Sequence, residues 1–182
     1  MSRIQINDTM PDFAFNTAFN NHLHLSQVAK GKTILWALRY IGCTVCRYDV
    51  HMIAKRYSEF LEKGAQVYVI MQSDQKHVQN DLASTNTTLP FEIICDPEMK
   101  IYNMLEINPA ESMEALADGV LDQLKEKASK AREAGFSHGD YEGNEQQLPA
   151  MFIVDEDRKV LYAHYAENIM DMPSIDEILE KI

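Results

Sequence analysis

Two cysteines three residues apart, Cys43 and Cys46, are the residues of this chain best suited to chemistry. They stand in Gly42-Cys43-Thr44-Val45-Cys46-Arg47. On a helix, that step places the second thiol above the first on one face, which lets the pair close into a disulfide. Upstream, Thr33-Ile34-Leu35-Trp36-Ala37-Leu38-Arg39 is apolar and β-branched enough for a buried strand. Downstream, apolar residues recur at Val50, Ile53, Ala54, Tyr57, Phe60 and Leu61 with a helical period. The sulfurs therefore sit where a strand turns into a helix. Free backbone N–H groups and the helix dipole favour negative charge there. A thiolate is negative and is the reactive form of cysteine, so the placement lowers a thiol pKa. Arg39 and Arg47 flank the pair and add positive potential.

The other candidate groups have plainer readings. Cys95 ends a short apolar strand before Asp96-Pro97 and reads as a small buried hydrophobe, with a resolving role as the alternative. A structural zinc needs four ligands, and no second pair joins Cys43 and Cys46 at a suitable spacing, so no metal is expected. His51 reads as a solvated helix residue, and His22 and His24 as surface positions on a strand. Tyr40 either lines the sulfur site or packs as a core aromatic. Asp140, Glu142 and Glu145 fall in a polar, glycine-bearing stretch that reads as a mobile, solvated loop.

Composition bounds what surrounds the pair. The 182 residues are 46% hydrophobic and 25% charged, ordinary values for one globular domain spanning 1–182. A formal net charge of −11 argues against a nucleic-acid surface. No apolar run reaches the roughly 20 residues that span a bilayer. The first residues carry no secretory apolar segment, so a cytoplasmic location is expected. With three cysteines in a reducing compartment, Cys-x-x-Cys reads as redox-active or metal-binding rather than as a permanent staple.

The elements follow a strand–helix rhythm. Met10–Phe15 and His22–Leu25 alternate and suggest an N-terminal hairpin turning at Asn20-Asn21. Strand 33–39 leads to a helix over 44–63 that stops at Gly64. A second buried strand covers 66–71, and Ser73 or Asp74 caps a helix running to about Ser84. A third strand spans 91–95, and a short helix covers 98–105. This alternation implies parallel strands with right-handed crossovers. Asn108-Pro109 then opens one long amphipathic helix to Gly135, whose stripe (Met113, Leu116, Val120, Leu121, Leu124, Ala128, Ala131) packs on the sheet or serves a dimer partner. Strands at 150–154 and 160–165 form a closing hairpin, and Pro173-Ser174 opens the last helix.

This arrangement resembles the thioredoxin fold: a central mixed β-sheet flanked by helices, here with an N-terminal β-hairpin extension and a helix-and-loop insertion at 108–147. More narrowly it resembles the peroxiredoxin-like group, the alkyl hydroperoxide reductase/thiol-specific antioxidant (AhpC/TSA) family. The segments that carry the likeness are Leu38–Arg47, Cys95-Asp96-Pro97 and Leu148–Asp155. The resemblance implies a cis peptide at Pro149 beside the Cys-x-x-Cys, with Leu148 or Gln147 presenting backbone to a substrate. Peroxidases of that family carry Pro-x-x-x-Thr-x-x-Cys, with an arginine near the third core strand. In this sequence Arg39 takes the proline slot, Cys43 the threonine slot and Cys46 the attacking slot, while Gln147-Leu148-Pro149 replaces the arginine. These departures move the site toward thioredoxin. The buried carboxylate of thioredoxins is also missing, its slot falling near Ala37.

The expected activity is a thiol–disulfide oxidoreductase, with Cys43 as nucleophile, Cys46 as resolving thiol, and Tyr40, Gly42, Thr44, Arg47, Leu148 and Pro149 around them. The alternatives are a thiol peroxidase attacking through Cys46, and a redox-sensing interaction module without turnover. The implied partners are a disulfide-bearing protein, a small thiol or a peroxide, together with a dithiol electron donor. No cofactor, nucleic acid or membrane is expected.

Overall fold

The computed structural model describes residues 2–182. The chain enters through a short hairpin, β1 (Ala14–Thr17) and β2 (Leu23–His24), followed by one turn of helix, α1 (Leu25–Val28). Next come β3 (Lys32–Ala37), α2 (Thr44–Lys55), α3 (Tyr57–Glu62), β4 (Ala65–Met71), α4 (Gln75–Ser84), β5 (Glu92–Cys95) and α5 (Lys100–Met104). Two helices, α6 (Met113–Leu116) and α7 (Leu121–Glu133), precede the closing hairpin β6 (Ala150–Val154) and β7 (Val160–Tyr165) and the final α8 (Ile175–Lys181).

The strands form one seven-stranded mixed sheet in the order β2-β1-β5-β4-β3-β6-β7. β3, β4 and β5 run parallel, while β1 pairs antiparallel with β5, and β6 with both β3 and β7. Side chains alternate across β3, so Ile34 and Trp36 enter the core under α2, and Leu35 and Ala37 enter the core on the opposite face. Burial on both faces accounts for the unbroken apolar run in that strand. Local signals set several ends. Asp74 caps α4 by accepting the His77 N–H at 2.8 Å, Ser174 and Glu177 form a capping box on α8, and Gly64 takes a left-handed φ of 70° where α3 stops.

Two expected helices are divided. The 44–63 helix breaks at Arg56, whose φ of −111° and ψ of 13° leave the helical region. The expected 109–134 helix is α6 and α7, separated at Gly119, which has a φ of 71°. Ser112, not Asn108, caps α6, and Pro109 pairs with Gln147 in an isolated antiparallel bridge. That bridge holds the chain extended where the capping residues alone favour a helix. In α7 the stripe residues Leu124 and Ala128 pack against the core beneath α2, and Ala131 is buried. Among the described residues no helix is long and apolar enough to cross a membrane.

Candidate active site

The thiol pair lies at the C-terminal end of the parallel strands. Beyond β3 the chain is tied to its neighbours: the Gln72 N–H donates to the Arg39 carbonyl at 2.7 Å, and the Ile41 N–H to Ser73 Oγ at 2.9 Å. The Cys43 N–H turns back to the Tyr40 carbonyl at 3.1 Å, so Cys43 becomes the N-cap of α2. Its Sγ accepts the Cys46 N–H at 3.4 Å, taking up one of the unpaired donors at the helix start. The Arg39 guanidinium approaches the same sulfur, with Nη2 at 3.0 Å, while its Nη1 donates to the Glu145 carbonyl at 2.7 Å. Thr44 begins α2 between these groups.

The two thiols are driven apart in acidity. Burial pushes the Cys43 thiol up, but the Cys46 thiol donating to it and the Arg39 charge reverse this and lower it to about 6. Burial also raises Cys46, and there its hydrogen bond to Cys43, the Cys43 negative charge and the Asp49 carboxylate hold it well above the usual thiol range. Near neutral pH these surroundings favour a thiolate at Cys43 beside a neutral thiol at Cys46. Cys43, Cys46 and Cys95 are all free thiols. Cys95 is buried at the end of β5, and burial pushes its thiol up to about 12.

Both sulfurs are buried, Cys43 at 1% exposed and Cys46 at 3%. The cover is the segment 136–147, which the sequence suggested was a free loop. The Gly139 N–H donates to the Gly42 carbonyl at 2.8 Å, and a Cβ on Gly42 would collide with the Asp140 carbonyl. The close passage of these two backbones is what requires a glycine at 42. Tyr40 is buried beneath the segment, its hydroxyl 3.1 Å from His138 Nε2. The Gln72 amide clamps Asn144, donating to its carbonyl at 3.2 Å and accepting its N–H at 2.7 Å. Asp140 is solvated as expected, but Glu142 is nearly buried against Asp74 and His77. The polar composition that suggested a free loop serves instead to match polar groups at the strand ends.

Cys46 faces elsewhere. It lines a cavity of about 420 Å³ whose walls include Trp36, Met52, Pro149 and Met172, and Cys43 does not line it. Asp49 and Lys127, paired at 2.6 Å, belong to its polar lining, as do Arg39, Glu126 and Lys130. Burial opposes the Lys127 charge, and the Asp49 carboxylate outweighs it, so the lysine pKa is raised. Trp36 Nε1, on the same wall, is a buried donor with no partner among the described residues. Sequence reasoning missed Asp49, Lys127 and the clamp at Gln72. Their long-range partners leave no local pattern.

Two expected supporting residues are elsewhere or differently built. Arg47 points away from the sulfurs, 2% exposed, with Nε on Asp81 at 2.7 Å, Nη2 on Thr85 and Thr87 at 3.0 Å each, and its guanidinium 4.3 Å over the Phe136 ring. One step past Cys46 on a helix turns a side chain by about 100°, which takes Arg47 off the thiol face. Pro149 does border Cys46 across the cavity, but there is no cis peptide bond among the described residues. The trans form is the intrinsic preference of X–Pro, and a proline just before a strand fits without isomerising. The backbone expected to meet substrate is already engaged: the Leu148 carbonyl accepts Gln147 Nε2 at 3.1 Å, the Pro149 carbonyl accepts the Ala166 N–H at 3.1 Å, and Gln147 pairs with Pro109. Leu148 itself is half-buried against the core beneath α2.

The family model for AhpC/TSA matches residues 6–163, most of the chain. This protein belongs to the AhpC/TSA family. Solved structures of the same fold include a yeast mitochondrial 1-Cys peroxiredoxin (17% identity, TM-score 0.65, covering 97% of this chain and 73% of that one). A peroxiredoxin-like protein from Aquifex aeolicus aligns at 14% identity and a TM-score of 0.66, over 100% of this chain and 87% of that one. Peroxidoxin BcpB from Mycobacterium tuberculosis aligns at 16% identity and a TM-score of 0.66, over 98% and 96%. No curated protein matches the chain. Membership in this family supports thiol-based redox function, that of an oxidoreductase.

Proposed function

We propose that this AhpC/TSA protein is a thiol–disulfide oxidoreductase that cycles Cys43 and Cys46 between dithiol and disulfide. The observation that supports this reading is the Arg39 guanidinium 3.0 Å from Cys43 Sγ, which together with the hydrogen bond from Cys46 favours the thiolate at Cys43. The Cys43 thiolate attacks one sulfur of a substrate disulfide. The S–S bond breaks, one half leaves as a thiolate, and a mixed disulfide to Cys43 remains. Forming it consumes the Cys43 charge and the acceptor that kept Cys46 protonated. Cys46 then loses its proton more readily and attacks Cys43 Sγ, releasing the second substrate thiolate and closing the Cys43–Cys46 disulfide. Two electrons have passed to the substrate, and a dithiol donor returns them. The yeast mitochondrial 1-Cys peroxiredoxin is described as resolved through glutathione/thioredoxin systems, and of these the thioredoxin kind, a dithiol, is the donor that suits this pair. Because segment 136–147 covers Cys43, a protein disulfide reaches it only when that segment lifts.

A second reading has one observation in its favour: Cys46, not Cys43, lines the cavity. A peroxide entering there would meet Cys46 first. Its thiolate would take the terminal oxygen as sulfenic acid and release water or an alcohol, and Cys43 would then condense with it, expelling water and leaving the same disulfide.

Rapid-mixing oxidation of the two single-cysteine variants separates these readings. On the first, Cys46→Ser still traps a mixed disulfide with a model disulfide substrate, while Cys43→Ser is inert. Fast reaction with hydrogen peroxide that survives Cys43→Ser but not Cys46→Ser would reverse the roles.

A further inference from the structure

Away from the sulfurs, the cover segment meets the first turn of α4 at a second chemical cluster. Asp74, His77 and Glu142 each point one ligand atom inward, all within 4.8 Å of one another. His77 Nδ1 lies 2.8 Å from Asp74 Oδ1 and 3.2 Å from Glu142 Oε2. Its other nitrogen, Nε2, lies 3.4 Å from Asp140 Oδ2. Three carboxylates around one imidazole carry a net charge of about −2 even when the histidine is protonated, and carboxylates brought this close repel one another. A second observation points to a ligand. Glu142 is 10% exposed, and its Oε1 is buried with no partner among the described residues. An acceptor left unsatisfied in that way is costly, and the other oxygen of the same carboxylate, Oε2, already faces His77 and accepts the Asp74 N–H at 3.1 Å.

We infer that Asp74, His77 and Glu142 form a divalent transition-metal site of the zinc type, which fastens the cover segment to α4. Two carboxylates and one imidazole suit Zn²⁺ at about 2.0–2.2 Å, with water completing the shell. The ion takes the place that a proton on Nδ1 occupies between the carboxylates. The imidazole keeps its remaining proton on Nε2, where Asp140 accepts it and orients the ring. Binding therefore releases a proton if His77 starts charged, and only shifts the tautomer if it starts neutral. Asp74 caps α4 and His77 lies in its first turn, and Glu142 lies between Gly139, which touches Gly42, and Glu145, whose carbonyl holds Arg39. Occupancy thus favours the closed cover over Cys43. The site itself does not depend on the redox reading, because its ligands are not thiols.

The test is calorimetric titration of Zn²⁺ into a Cys43→Ser/Cys46→Ser/Cys95→Ser chain, where thiolates cannot bind the metal. One ion per chain is expected, weakened about tenfold or more by Glu142→Gln and by His77→Gln. No binding by the folded thiol-free chain, or binding untouched by both substitutions, overturns the site. If the thiol-free chain does not fold, Mn²⁺, which has little affinity for thiolate, is added to the wild-type protein. Paramagnetic broadening centred on Asp74, His77 and Glu142 supports the site, and broadening elsewhere or none overturns it. Zn²⁺ should also slow Cys43 alkylation severalfold in the wild type but not in Glu142→Gln. Equal slowing in both would place the ion on the thiols and overturn the link to the cover.

Discussion

The two sides of the Cys-x-x-Cys are built on opposite principles. Cys43 lies under a clamped polar segment with an arginine on its sulfur, whereas Cys46 looks into a cavity walled by Trp36 and methionines, with Asp49 and Lys127 at its polar side. Only Thr44 and Val45 separate them, yet their surroundings favour the thiolate at one and the neutral thiol at the other. The lesson is that charge follows the hydrogen bonds to the sulfur, from Cys46 and from Arg39, while access follows the cavity, which Arg39 and Cys46 line and Cys43 does not. A pair arranged in this way keeps its nucleophile covered until the segment over it moves.

The strongest way to break the contrast is to remove the arginine. In Arg39→Met the Cys43 thiolate loses its cation, and its pKa should rise toward the ordinary thiol value of about 8.5. The thiolate fraction at pH 7, read by ultraviolet absorbance, should fall roughly tenfold. An unchanged titration would show that Arg39 does not set the charge.

The contrast can also be weakened from the cover. Gly42→Ala forces the Asp140 backbone away, and overpacking of this kind typically costs about 1–3 kcal/mol. Cys43 alkylation should speed up severalfold with little change in its pKa. If the rate stays the same while the melting temperature falls, segment 136–147 is not what shields the sulfur.

Stability should report the same charge. A folded-state thiol pKa lowered to about 6 contributes stability that is present above the unfolded value of about 8.5 and is lost as pH falls through about 6. Denaturant midpoints of the reduced wild type should therefore drop between pH 8.5 and 6 relative to Cys43→Ser. Parallel curves would remove the thiolate from the folded state.

Arg47→Met sharpens the comparison by doing nothing to it. The thiolate fraction should stay the same, because Arg47 faces Asp81, Thr85 and Thr87. Stability should fall by about 3–5 kcal/mol, since a buried charge pair is broken. A shifted Cys43 titration would mean that its charge reaches the sulfur after all.

Much of the frame is legible in the residues. The apolar β3, the capped α4 and α8, the closing hairpin and the thiol pair at a strand–helix junction all rest on local signals that tertiary contacts reinforce. What was not legible has a common cause. Arg39 and Arg47 look equivalent beside the cysteines, and only the turn before α2 and the direction of the helix decide which one meets a sulfur. The expected long helix starts late because the chain stays extended at Pro109 to pair with Gln147, and it is divided at Gly119, whose φ is 71°. Pro149 stands beside Cys46 in the trans form, its carbonyl bound to Ala166.

By itself the sequence determined the sheet, the junction and the two sulfurs, because periodicity, caps and β-branched runs act over a few residues. Only the folded chain decided which sulfur carries the charge and which one faces open space. Those properties depend on how distant segments meet the pair: the Glu145 carbonyl, 106 residues from Arg39, holds the guanidinium that reaches Cys43, and Lys127 pairs with Asp49 in the cavity that Cys46 lines, because electrostatics and burial act through distance in space rather than along the chain.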